Sequence, residues 1–148
     1  MFIDFIAAYN TVYRSKLMSM LKIYGVRRNM LTRFGRFLAQ RWVKVWWNKT
    51  ESKYKLSKIS LPQGAVSSTV LFNIYINELP KHLNKIDGIK FSMFANDIVT
   101  WTSAKNNNKQ QRNLENNMNH FLKVLNSWST ENNLINSKSK TMYKFFSL

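Results

Sequence analysis

Hydrophobic and polar positions alternate most clearly on either side of Phe94-Ala95-Asn96-Asp97. Residues 89–94 and 98–102 are both rich in strand formers, and a tight polar turn between two such runs predicts a β-hairpin. Phe2 to Phe5 reads as a short strand ending near Asp4. Helical periodicity runs over 12–24, where Leu17, Leu21 and Tyr24 share a face and Gly25 supplies a C-cap. A second helix, about 29–40, carries Met30, Phe34, Phe37 and Leu38 on one side. Residues 41–47 predict a strand with Trp42 and Trp46 off one face. With the less regular run 52–59 it would form a hairpin around 48–51.

Leu61-Pro62-Gln63-Gly64 breaks the chain and leads into a helix. Ser67 or Ser68 would cap it, Val70, Leu71, Ile74 and Leu79 would form its apolar side, and Pro80 would end it. A loop at 84–88 leads into the hairpin, and the asparagine run 106–108 reads as a linker. Leu114, Met118, Phe121, Leu125 and Trp128 then recur at steps of four, three, four and three, the stripe of a long helix facing a core. A mostly polar turn is expected over 132–141 and a terminal strand over 142–146. The fold class expected is α+β, a small antiparallel sheet packed on one face by helices.

At 148 residues the chain allows one domain with a sizeable core. A hydrophobic share of 45% argues against intrinsic disorder. No apolar run reaches membrane-spanning length and no secretory pattern opens the chain, so an intracellular protein without a membrane partner is expected. The absence of cysteine excludes disulfides and thiolate zinc sites. His82 and His120 make no ligand pattern.

Net charge changes the picture more. It is +16 overall, with +11 of it in residues 1–60. That balance favours phosphate-bearing partners, through binding that is salt-sensitive and indifferent to sequence. Lys, Asn and Ile share A/T-rich codons, so base composition alone could also raise the charge. Arg27, Arg28, Arg33, Arg36 and Arg41 around the second helix read either as phosphate contacts or as a solvated basic face. The tryptophans of 41–47, set among basic residues, could stack nucleobases; a core or lid role is the reading favoured from sequence.

An acidic residue at a hairpin tip can hold a metal, because the short turn fixes its direction; the alternative is an ordinary surface turn. Asp97 occupies such a tip. Three further segments accompany it in order: Phe2-Ile3-Asp4-Phe5-Ile6-Ala7-Ala8-Tyr9, then Leu61-Pro62-Gln63-Gly64 with Leu71-Phe72-Asn73-Ile74-Tyr75-Ile76-Asn77, and finally Asn136-Ser137-Lys138-Ser139-Lys140-Thr141. Together the four resemble the palm motifs of reverse transcriptases, particularly those of non-LTR retrotransposons, over nearly the whole chain.

The resemblance implies an RNA-directed DNA polymerase acting on an RNA template, a DNA primer or hybrid, and deoxynucleotides. Nucleotidyl transfer of this kind uses two magnesium ions about 3.5–4 Å apart. By resemblance Asp4 and Asp97 are the metal ligands, Asn96 stands where the family has its leading catalytic Asp, and Lys140 best matches the lysine that protonates the leaving pyrophosphate, with Lys138 as the alternative. Tyr9 would lie beneath the incoming sugar and select deoxynucleotides, while Gln63 and Gly64 would lie against template and nucleotide. The sequence departs from the family at Asn96, at Asn10 (usually Asp) and at Thr69 (often Pro). Loss of a negative charge beside two dications weakens metal binding and transition-state stabilisation. The expectation is a partial domain over 1–148, a palm without fingers or thumb, impaired in magnesium binding and inactive as a polymerase. A non-catalytic basic remnant that binds nucleic acid is the competing class.

Overall fold

The structure, a computed structural model, describes residues 1–39, 41–103, 108–144 and 146, the side chains of 108–111 excepted. The chain divides into two units. One comprises residues 1–8 and 76–148, and the other residues 9–75.

The first unit is built on a four-stranded antiparallel sheet. Its strands are β1 (Phe2–Ile6), β6 (Lys90–Phe94), β7 (Asp97–Trp101) and β8 (Ile135–Asn136), in the order β6-β7-β1-β8. Strand β1 is central because its residues Ile3, Asp4 and Phe5 are all buried. The expected hairpin is present: β6 and β7 pair from Lys90↔Trp101 to Phe94↔Asp97, leaving Ala95 and Asn96 as a two-residue loop. Ala95 adopts a left-handed φ of 51°. A positive φ at the first loop position matches the right-handed twist of the flanking strands.

Helix α6 (Asn108–Glu131) is the long helix predicted from the apolar stripe, and Phe121, Leu125 and Trp128 are buried along it. Phe121 meets Phe91 of β6 at 6.4 Å between ring centroids, which ties the helix to the sheet. The short helix α5 (Leu79–Leu83) carries Pro80 in its first turn, where a missing N–H leaves nothing unpaired. Pro80 therefore opens a helix rather than ending the preceding one. Strand β8 falls where only a polar turn was expected. The terminal strand is reduced to a bridge between Phe2 and Met142. Residues 106 and 107 of the expected linker, with 145 of that terminal strand, lie outside the described residues, and Asn108 already begins α6.

The second unit is mainly helical. It contains α1 (Ala8–Thr11), counted from Tyr9, α2 (Arg14–Ile23), α3 (Arg28–Leu38) and α4 (Val66–Ile76), counted to Tyr75. Helix α2 ends in a Schellman motif: Val26 N–H donates to Leu21 O and Gly25 N–H to Lys22 O, with Gly25 at φ 83°. Leu17 and Leu21 are buried as predicted, whereas Tyr24 is exposed. Helix α4 starts at Val66, so the side chains of Ser67 and Ser68 lie inside it rather than at its cap.

The expected single hairpin over 41–59 is instead two short ribbons. Strand β2 (Arg41–Val43) pairs with β5 (Lys55–Ser57), and β3 (Trp46–Trp47) pairs with β4 (Thr50–Glu51). The turn is confined to Asn48 and Lys49, both at positive φ, the pattern of a type I′ turn. Between the ribbons Ser52 bonds Val45 twice, through its N–H to Val45 O and through its hydroxyl to Val45 N–H, each at 2.9 Å. Trp42, Trp46 and Trp47 are exposed, which overturns the core reading of these rings.

Candidate active site

Asp4 sits near the middle of β1, and its register partner on β7 is Asp97. Residues directly opposite in an antiparallel pair project from the same face, so the sheet brings both carboxylates together. The two differ in environment: Asp4 is 9% exposed, while Asp97 is open to solvent. A buried carboxylate needs partners for both oxygens. Asp4 has them. Asn96 donates its Nδ2–H to Oδ1, and the Lys140 ammonium donates to Oδ2 at 2.7 Å.

The position of Lys140 follows from the turn after β8. Ser137 N–H donates to Asp4 O at 2.8 Å, which anchors the turn to β1. Thr141 N–H returns to Ser137 O, and the buried Ser137 hydroxyl accepts the Lys140 N–H at 3.3 Å. This loop is closed largely by its own backbone and hydroxyls, and it aims Lys140 back across the sheet. The bond to Asp4 and the charge of Asp4, with a smaller contribution from Asp97, hold the Lys140 ammonium above the ordinary lysine value of 10.5. Ser137 was not singled out from sequence; the signal available was a hydroxyl three residues before the lysine.

Tyr9, Gln63 and Gly64, the residues expected on the substrate side, belong to the second unit. Tyr9 stacks on the buried Phe72 of α4, at 4.7 Å between centroids and 23° between planes. The Gln63 amide donates to Asn10 Oδ1 at 3.3 Å. Gly64 adopts φ 82°, a conformation that L side chains rarely take, so glycine is needed for the turn into α4. Arg14, also unanticipated, is buried and fixes the segment before Leu61. It donates to Ser57 O at 2.7 Å, Ser60 O at 2.8 Å and the Ser60 hydroxyl at 3.2 Å. Burial, and then the charge of Arg41, lower its pKa.

Magnesium takes oxygen ligands in near-octahedral geometry and bridges carboxylates to phosphates. Here both oxygens of one carboxylate are engaged by N–H donors, and position 96 offers a neutral amide that turns its own donor inward. Among the described residues no group of three or more His, Cys, Asp or Glu is gathered. The residues as arranged do not fit a pair of magnesium ions. No helix among the described residues is long and apolar enough to cross a membrane.

The chain has no match among curated proteins. The family model of the reverse transcriptase (RNA-dependent DNA polymerase) matches residues 1–145. That match takes in the sheet carrying Asp4, Asn96, Asp97 and Lys140 as well as the segments carrying Tyr9, Gln63 and Gly64, and on it the chain belongs to the reverse transcriptase family.

Proposed function

We propose that this chain is a palm segment of the non-LTR retrotransposon type whose catalytic centre is closed to two-metal nucleotidyl transfer. The observation that carries the reading is the full engagement of Asp4 by Asn96 and Lys140. With an N–H donor on each oxygen, a cation reaches this carboxylate only by displacing a donor or sharing an oxygen with one. Lys140 is likewise drawn into the pair, and a raised pKa makes it a weaker proton donor to a leaving group. In this reading Tyr9 retains the position beneath a nucleotide sugar, and Gln63 with Gly64 retains the template side. The chain keeps recognition elements of an RNA-directed DNA polymerase without its chemistry.

The test is primer extension on an RNA template with deoxynucleotides and magnesium. The unaltered chain is expected to give no product; product from it would overturn the closed-centre reading. Asn96→Asp combined with Asn10→Asp separates the two classes. Extension by the double variant identifies a polymerase site lacking only charge. Salt-sensitive binding without extension identifies the second reading, a basic nucleic-acid binder, which the charge of +16 favours.

A further inference from the structure

The two ribbons between β2 and β5 expose aromatic rings that the core does not use. On one face Lys44 Nζ lies 6.0 Å from the centre of the Trp46 ring and 5.4 Å from that of Tyr54. The same ammonium pairs with Glu51 at 2.6 Å, and Glu51 is the register partner of Trp46. One lysine thus holds two rings and a carboxylate in a fixed cluster. Yet Trp46 is 68% exposed and Tyr54 64% exposed. Trp47, 80% exposed, follows Trp46 directly in β3 and so projects from the opposite face. Six basic residues fall between 41 and 58, against Glu51 alone.

We propose that the Trp46–Tyr54 face of the second unit is a stacking site for single-stranded nucleic acid. Unpaired bases stack on exposed aromatic rings whatever their sequence, and the surrounding cations meet the phosphates. Charge complementarity selects this occupant: a stretch with open rings and six basic residues against one acidic residue suits a polyanion that carries planar bases. Fixing the rings through Lys44 reduces the ordering that binding would otherwise require. Duplex nucleic acid offers phosphates but no free base faces, so the site discriminates against it. The inference stands on the second unit alone and does not depend on the polymerase reading.

The test uses the full chain and a fluorescein-labelled oligothymidylate, read by anisotropy across a salt series. The single strand is expected to bind more tightly than a duplex of equal length. Trp46→Ala is expected to weaken single-strand binding roughly 5- to 150-fold, with the salt slope kept. Trp46→Phe should retain wild-type affinity, and Trp47→Ala should leave it unchanged. Equal affinity for single strand and duplex would overturn the proposal. So would a Trp46→Ala variant that binds as well as wild type, or a Trp47→Ala loss as large as that of Trp46→Ala. Concentration-dependent self-association abolished by Trp46→Ala, with oligonucleotide binding intact, would assign the face to a second copy instead.

Discussion

Lys140 Nζ lies 2.7 Å from Asp4 Oδ2, joining residues 136 positions apart in the chain. The carboxylate is largely buried, whereas the lysine side chain is 70% exposed. Asp4 therefore gains a counterion without Lys140 giving up most of its hydration. The cost of burying a charge falls on one partner only, and the bond network of Asn96 and Lys140 offsets it.

The pH dependence of this link has a definite sign. The folded pKa of Lys140 is raised by its bond to Asp4. A basic group so shifted contributes stability that is complete below its unfolded value and is lost as pH rises through the folded one. The difference in urea midpoint between wild type and Lys140→Met should be constant from neutral pH to about pH 10.5, the ordinary lysine value, and should shrink above it. A difference that already shrinks between pH 7 and 9 would argue against the ion pair.

Ser137 is a positioning residue for Lys140. Its buried hydroxyl accepts the Lys140 N–H. Ser137→Ala should lower stability by about 0.5–1.5 kcal/mol, the net worth of one hydrogen bond. It should also move the Lys140 ammonium titration, followed by NMR of labelled lysine, towards the ordinary value. A loss of stability with an unmoved titration would limit Ser137 to holding the turn.

The hairpin around Ala95 and Asn96 was legible because strand alternation on both sides left only one register for the turn, and Phe94↔Asp97 closes it. The stripe from Phe121 to Trp128 was legible for a similar reason: helical period and burial coincide. Strand β8 was not, since Ile135 and Asn136 are too few to show a period and take their extended form from Phe5 and Ile6. The same limit hid the split of 41–59, where a serine side chain, Ser52, bridges the gap between ribbons. Motif order placed Asp4, Asp97 and Lys140 as candidates. Only the structure shows that Asn96 and Lys140 meet on Asp4, because the contact depends on register between β1 and β7 and on the turn after β8.

Arg14 carries a prediction for the second unit. Its planar fork reaches two backbone carbonyls and one hydroxyl in the segment 57–60. Lysine cannot reproduce that geometry, though it keeps the charge. Arg14→Lys should destabilise the chain by about 1.5–3 kcal/mol, measured as a fall in the urea midpoint. Far-UV circular dichroism follows it, because the second unit is mainly helical. An unchanged midpoint would mean that the segment is held by its backbone bonds alone, Ser60 N–H to Val12 O and Leu61 N–H to Tyr9 O.

The proposed closure of the centre predicts different responses to divalent cations in wild type and in Asn96→Asp. In wild type, Asp4 is already satisfied by Asn96 and Lys140, so magnesium or manganese at low millimolar concentration should leave the thermal midpoint unchanged. Asn96→Asp removes an N–H donor from Asp4 and adds a carboxylate beside Asp4 and Asp97. In the presence of a chelator this variant should be less stable than wild type by about 1–3 kcal/mol, the cost of a group left without its partner together with like-charge repulsion. A dication bridging the new carboxylates should recover that loss by mass action, by about 2.7 kcal/mol at a hundredfold excess over its dissociation constant. Thermal unfolding of both chains, with and without magnesium, checks this directly. Equal stabilisation of both by magnesium would show that Lys140 yields its place on Asp4 to a cation, and the centre would then be open.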